Sequence, residues 1–250
     1  MKILGVIPAR YASSRFPAKP LAEIAGKAMV EWVYSQAVQW TSLQSVVVAT
    51  DHEKIYNHLI EKEINVCMTS SDHVSGTDRC QEALIKSGQV FDYVVNIQGD
   101  EPFISPRQID LLTSLLNGTV QLATLKKKIT QTEHLFSPHV VKVVTDQHGN
   151  AMYFSRSPIP HIRHIKEADW LKAHSFFKHI GMYAYRADVL RQITALAPST
   201  LEKAESLEQL RWIENGFALK VAETDIETLG VDTPEDLIQA NNFVRELGRK

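Results

Sequence analysis

Cysteine is scarce in this 250-residue chain: Cys67 and Cys80 are the only two. That excludes a disulfide-stapled scaffold, and both thiols sit in apolar settings where they read as small core hydrophobes. An excess of either charge is also missing. The formal net charge is -2 at pH 7, which excludes the basic footprint of a nucleic-acid binder. Lys126-Lys127-Lys128 is the one basic run and reads as a solvated strand end. No apolar stretch approaches membrane-spanning length, and the chain opens straight into a strand pattern rather than a secretory leader. The expectation is a cytoplasmic protein that engages neither membrane nor nucleic acid. Internal repeats and low-complexity segments are absent.

Three catalytic signatures are missing too. No Gly-x-Gly-x-x-Gly follows the first strand, which argues against a nicotinamide dehydrogenase. Gly26-Lys27 is followed by Ala28 and has no upstream glycine, so there is no P-loop. No Gly-x-Ser-x-Gly marks a nucleophile. Histidines number ten, but His161-Ile162-Arg163-His164 has no cysteine or acidic partner nearby in sequence, which argues against a structural zinc site.

What is present is a βαβ rhythm. Strand patterns at 3–7, 45–49, 65–68, 93–97 and 121–126 alternate with helical patterns at 29–40, after Asp51, at 76–86 and from Pro106 to about 116. This alternation implies a parallel sheet with helices on its faces. Ser105-Pro106-Arg107-Gln108 reads as a capping box with proline at the first helical position. The middle changes character. Segments 140–145 and 151–154 flank Asp146-Gln147-His148-Gly149-Asn150 as a hairpin, and 161–175 reads as a long loop. A strand at 180–185, helices at 187–196 and 201–215, a strand at 219–222 and a helix capped by Thr233 complete the chain. Leu207, Leu210 and Ile213 form an apolar stripe that suits either a dimer contact or the core.

The densest chemistry follows the first strand. Arg10, Arg15 and Lys19 lie in a loop braced by Pro8, Pro17 and Pro20. Such a loop sits where open α/β sheets bind ligands, and its charge points to an anion such as a nucleoside triphosphate; a surface loop with scattered charges is the competing reading. Ser75-Gly76-Thr77-Asp78-Arg79 offers small polar groups and a cation at a helix start, or a plain helix cap. Asp100, after Gly99 at a strand end, suits a Mg²⁺ ligand, with Gly99 allowing close backbone approach to a ligand. Asp232 is a second carboxylate, which otherwise complements the last helix's dipole.

The run Ile7-Pro8-Ala9-Arg10-Tyr11-Ala12-Ser13-Ser14-Arg15-Phe16-Pro17-Ala18-Lys19-Pro20-Leu21 resembles the signature loop of 3-deoxy-manno-octulosonate (Kdo) cytidylyltransferases. So do Ala49-Thr50-Asp51-His52, Cys67-Met68-Thr69, Ser75-Gly76-Thr77-Asp78-Arg79 and Asn96-Ile97-Gln98-Gly99-Asp100-Glu101-Pro102. Further on, Tyr153-Phe154-Ser155-Arg156-Ser157, Lys178-His179-Ile180-Gly181, Leu207-Glu208-Gln209-Leu210-Arg211 and Gly230-Val231-Asp232-Thr233-Pro234-Glu235-Asp236 match as well. Ala18 stands where the family usually has glycine, Asp78 replaces the usual glutamate, and 161–175 looks unlike the family.

The resemblance implies a nucleotide-diphospho-sugar transferase fold: a twisted, mostly parallel sheet flanked by helices, with an inserted substrate and dimer region. It implies one cytidylyltransferase domain, with 1–130 mainly nucleotide-binding, 131–217 sugar-binding and dimerising, and 218–250 returning to the sheet. The implied reaction is CTP plus Kdo giving CMP-Kdo and pyrophosphate, for lipopolysaccharide biosynthesis, in a homodimer that uses Mg²⁺. The same chemistry on 8-amino-Kdo or another 2-keto sugar acid is the alternative. Lys19, Arg15 and Asp100 are the implied catalytic residues, with Asp100 and Asp232 on the metal. Ala9, Arg10, Met68, Ser75, Thr77 and Gln98 are implied for the nucleotide. Arg156, His179, Tyr183, Glu208 and Gln209 are implied for the sugar acid, with Arg156 on its carboxylate.

Overall fold

The N-terminal apolar run folds into a strand with almost no exposed side chain: Ile3, Leu4, Val6, Ile7 and Ala9 are all buried. Burial on both faces is what a parallel strand between helical layers requires. A computed structural model describes residues 1–12 and 16–247. In chain order the elements are β1 (Ile3–Ala9), β2 (Glu23–Ile24), β3 (Lys27–Ala28), α1 (Met29–Ala37), β4 (Ser45–Thr50), α2 (Glu53–Glu61), β5 (Val66–Met68), α3 (Gly76–Lys86), β6 (Tyr93–Asn96) and α4 (Pro106–Ser114). Then come β7 (Leu122–Lys128), α5 (Thr132–Phe136), β8 (Lys142–Thr145), β9 (Ala151–Ser155), α6 (Trp170–Ala173), β10 (Phe177–Arg186) and α7 (Ala187–Thr194). The last are α8 (Thr200–Glu205), α9 (Glu208–Glu214), β11 (Leu219–Thr224) and α10 (Pro234–Leu247). Among the described residues no helix is long and apolar enough to cross a membrane.

The chain divides into two compact units, one of residues 1–110 with the segment from Thr228 onward, the other of residues 111–227. In the first, β6, β1, β4 and β5 lie side by side and all run parallel. Parallel strands bring their C-terminal ends, and the loops that follow them, to one edge of the sheet. A separate cluster of Ile24, Met29, Val231 and Ala240, with Trp32, Phe103 and Leu237 against it, fastens α10 to the β2–β3 ribbon and α1. Trp32 Nε1 reinforces this by donating to Ile24 O at 2.8 Å.

The second unit is mixed. β11 runs parallel to β7, β10 antiparallel to β7, and β8 pairs β10 and forms an antiparallel hairpin with β9. The register of β10 shifts between Ile180 and Tyr183. This bulge turns the intervening carbonyls toward Thr124 Oγ1, which lies 3.1 Å from Ile180 O and 2.8 Å from Met182 O. β7 and β11 pair with each other inside this unit, which spans residues 111–227.

Several local expectations change. The helix expected over 201–215 is two helices, because Ser206 adopts a left-handed conformation (φ 53°, ψ 49°) that ends α8. Arg156 captures the carbonyls left open there: Nε donates to Glu205 O at 2.7 Å and Nη2 to Ser206 O at 3.4 Å. The stripe resolves toward the core, with Leu210 fully buried and Leu207 nearly so. Segment 161–175, expected to be loop, contains α6 and seats the buried Trp170 ring among Ile129, Leu135 and Phe176. Only Lys128 of the basic run is a solvated end. Lys126 Nζ lies over the Phe177 ring and bonds Thr145 Oγ1, and Lys127 pairs with Glu227. Gln108 does not close a capping box: its side-chain amide is buried with no hydrogen-bond partner among the described residues, while its N–H meets Ser105 O. Cys80 is fully buried and Cys67 partly so, neither in a disulfide.

Candidate active site

The loop after β1 and the loop after β6 share the sheet edge with the start of α3 and with Asp232. Together they enclose a cleft of about 280 Å³. Ala9, Arg10, Lys19, Ser75, Gln98, Asp100 and Asp232 all line it, so seven of the sequence-derived residues meet in one place. At its centre Lys19 Nζ lies 2.8 Å from Asp100 Oδ2 and 3.1 Å from Asp232 Oδ1. Burial works against the ammonium, but Asp100 and then Asp232 outweigh it and raise its pKa above the usual lysine value. Asp232 is available for this because the neighbouring cap is satisfied: Thr233 Oγ1 accepts from Asp236 N–H, and Asp236 Oδ2 accepts from the Asp232 and Thr233 N–H groups.

Two backbone features set this geometry. Ala18 adopts a left-handed conformation at φ 56°, ψ 23°, and the 3₁₀ turn carrying Lys19 starts directly after it. Glycine takes that conformation freely, whereas alanine does so at a cost. Gly99 lines the cleft, and a Cβ there would come within 2.6 Å of the Pro8 carbonyl oxygen, so its bare α-carbon also admits a close approach to the end of β1. Arg10 is exposed and forms no ion pair among the described residues, which leaves its charge to the cleft. Arg15 lies outside the described residues.

Ser75 caps α3: its Oγ accepts from Asp78 N–H at 3.1 Å and donates to Asp78 Oδ2 at 2.9 Å. Thr77 is buried in the first turn and does not line the cleft. Neither does Met68, at the end of β5, whose carbonyl accepts from Lys86 Nζ. Arg79, which the sequence leaves as either a cation for an anion or a plain cap charge, borders the cleft but turns its guanidinium inward. It is 2 % exposed and donates to Asp51 Oδ2 at 3.0 Å and Thr69 Oγ1 at 2.5 Å. His73, also on the cleft, holds Glu82 at 2.5 Å. Partial burial opposes ionisation of Glu82, but Lys86, the Ser70 N–H and His73 together lower its pKa to about 2.

The residues expected for the sugar acid lie in the second unit. His179 Nε2 meets Thr124 Oγ1 at 2.9 Å, with Phe154 and Tyr183 rings 5.0 and 5.2 Å from its centroid. The Thr124 proton is committed to a β10 carbonyl, so by this network Nε2 is the donor and Nδ1 carries the lone pair. Burial lowers its pKa to about 3, so the ring is neutral at pH 7. Burial, and then the Glu208 charge, pushes the Tyr183 phenol well above its usual value. Gln209 is buried, and Glu208 lies 3.7 Å from the Arg211 guanidinium. Among the described residues the Arg156 guanidinium is held by three carbonyls, of Glu205, Ser206 and Pro138, which leaves two of its five N–H donors.

Asp51 and His52 carry no assigned role in the sequence reading, although they stand in a quoted motif. The signal was positional: an aspartate at the C-terminal end of the second parallel strand, followed by a helix cap.

The sequence profile of the cytidylyltransferase family matches residues 4–226. A 3-deoxy-manno-octulosonate cytidylyltransferase of Cytophaga hutchinsonii is 52% identical over 97% of both chains. One of Bacteroides thetaiotaomicron is 53% identical over 98% of this chain and 99% of its own. The solved structure of a CMP:2-keto-3-deoxy-manno-octonic acid synthetase complexed with CTP superposes with a TM-score of 0.91. It is 40% identical, covering 99% of this chain and all of that one. A 4-diphosphocytidyl-2C-methyl-D-erythritol synthase from Anaerococcus prevotii shares the fold at a TM-score of 0.63 and 15% identity, covering 98% of this chain and 96% of its own. On sequence and structure together, the chain belongs to the 3-deoxy-manno-octulosonate cytidylyltransferase family.

Proposed function

We infer that this protein transfers CMP from CTP to the anomeric hydroxyl of 3-deoxy-D-manno-octulosonate and releases pyrophosphate. The relatives' names and the CTP-bound structure support the substrates. The observation that carries the mechanism is the convergence of Lys19, Asp100 and Asp232 in the cleft at the parallel-sheet edge.

The reaction joins an anionic sugar acid to a polyanionic nucleotide, so neutralising and placing charge is the protein's main task. Lys19 would hold the β- and γ-phosphates and stabilise the departing pyrophosphate, a role the family resemblance gives to Arg15 as well, and Arg10 would add its charge to the same anion. Ala9, Ser75 and Gln98 would border the base and ribose, with Met68 and Thr77 supporting the loops that do so. Arg156 would meet the sugar carboxylate through its two remaining N–H donors, already oriented by the three carbonyls. His179 Nδ1 would accept from a sugar hydroxyl, and Tyr183, Glu208 and Gln209 would complete that contact.

The residues present fit Mg²⁺. Asp100 and Asp232 already converge on one cationic group, the Lys19 ammonium. Two carboxylates suffice because magnesium takes the rest of its shell from phosphate and water. Among the described residues there is no larger cluster of His, Cys, Asp and Glu. Mg²⁺ held by this pair would supply charge neutralisation at the α-phosphate. The homodimer belongs to the same proposal, and light scattering at twice the chain mass is the result that supports it.

Pyrophosphate release tests the reading. CTP, UTP, ATP and GTP are each offered with Kdo, 8-amino-Kdo, a sialic acid and sugar 1-phosphates. Release with CTP and Kdo is expected. Release only with UTP and a sugar phosphate would defeat the cytidylyl assignment, and faster release with 8-amino-Kdo would move the assignment to that acid.

A further inference from the structure

The Tyr11 residue is held from three directions. Its N–H donates to Asp51 Oδ1 at 3.0 Å. Its carbonyl accepts from Ala18 N–H at 3.0 Å, which closes the neck of the loop just before Lys19. Its ring stacks on His52, with centroids 3.8 Å apart and planes 15° from parallel. His52 is itself fixed, because its Nδ1 accepts from Lys54 N–H as the cap of α2. Behind Asp51 stands Arg79, almost wholly buried, bonded to Asp51 Oδ2, Thr69 Oγ1 and Ser70 O. Thr69 Oγ1 in turn donates to Thr50 O at 3.0 Å, tying the group to the end of β4.

We propose that Asp51, backed by Arg79, is a positioning residue for the nucleotide phosphates. It fixes the neck of the first loop, so that Arg10 and Lys19 face the cleft before substrate arrives. The inference rests on the nucleotidyl-transfer reading above. One carboxylate oxygen holds the buried guanidinium and the other holds the Tyr11 peptide, so the rigid sheet edge and the loop share a single side chain. Charged groups act on a reacting phosphate only where they are held in place beforehand, and small misplacements are costly. A buried ion pair by itself adds little to stability compared with apolar groups of the same size. What an apolar pair could not do is accept the Tyr11 N–H.

The test uses the full chain carrying Asp51→Leu with Arg79→Met, which removes the anchor without stranding a buried charge. The double variant is expected to melt cooperatively. Its KM for CTP should rise on the order of tenfold to a hundredfold, with calorimetric CTP affinity falling in step and the sugar-acid KM unchanged. His52→Ala leaves the ion pair intact and should raise the CTP KM in the same direction by a smaller factor. A folded double variant with wild-type CTP affinity would overturn the proposal. So would a loss confined to kcat at unchanged KM, the mark of fewer active molecules rather than a misplaced loop. If the double variant does not fold, an unchanged CTP affinity in His52→Ala overturns it. If the wild-type chain releases no pyrophosphate from CTP, the transfer reading fails, while calorimetry on the same variants still decides the anchor.

Discussion

Lys19 Nζ lies 2.8 Å from Asp100 Oδ2, joining residues 81 positions apart across the cleft. With Asp232 on its other side, the lysine is paired with both of the carboxylates proposed to hold a divalent cation. Lys19→Met should lower kcat by about a hundredfold, as expected for removal of a charge that stabilises the leaving group. Without nucleotide the same variant should bind Mn²⁺ more tightly than wild type in an electron-spin titration, since nothing competes for the carboxylates. Asp100→Asn should lower kcat by at least roughly tenfold, about 1.4 kcal/mol, and near-normal turnover would remove Asp100 from the mechanism.

Ala18 carries a backbone conformation suited to glycine. Ala18→Gly relieves that strain and adds some unfolded-chain entropy. The net is a gain of about 0.5 to 1 kcal/mol, read as a higher urea midpoint at unchanged slope. An unchanged midpoint would mean the loop carries no strain there.

His179 makes stability depend on pH. Its folded pKa, near 3, is depressed by burial from the unfolded value near 6.5. Between those values the unfolded chain binds the proton and the folded chain does not. The contribution is therefore complete above pH 6.5 and is lost as pH falls toward 3. Glu82, folded near 2 against about 4.5 unfolded, adds a second loss that starts only below 4.5. His179→Gln should flatten the urea-midpoint profile between pH 6.5 and 4.5 and leave a shallower fall below 4.5, where only the Glu82 part remains.

Lys142 is fully buried, its ammonium bonded to the carbonyls of Ser137, Val140 and Arg156. Burial lowers its pKa from the usual lysine value. Lys142→Met strands three carbonyls and should cost about 3 kcal/mol in denaturant unfolding. The variant's CTP affinity should stay at the wild-type level.

Much of the first unit was legible because its signals are local. The capped start of α3 and the apolar runs of β1 and β4 are written in consecutive residues. The second unit was harder for physical reasons. Ser206 breaks the helix pattern where Arg156, fifty positions earlier, captures the released carbonyls. Trp170 orders a charged stretch by inserting one ring into a distant apolar cluster. At the site, the residue types and the cleft were readable, but partners were not. Arg79 stood open between an anion's cation and a plain cap charge, because no local pattern reveals that Asp51 faces it. Ala18 looked like a departure, yet its backbone angle is the one glycine would have supplied.

Gly99 has one more consequence. The end of β1 and the loop after β6 approach each other through the Pro8 carbonyl and a bare α-carbon, with no side chain between them to lengthen or shorten. The width of the cleft at that point is therefore a constant of the main chain. Changes in what the site accepts must come from groups around this gap, such as Ser75 and Gln98, while the gauge itself stays the same.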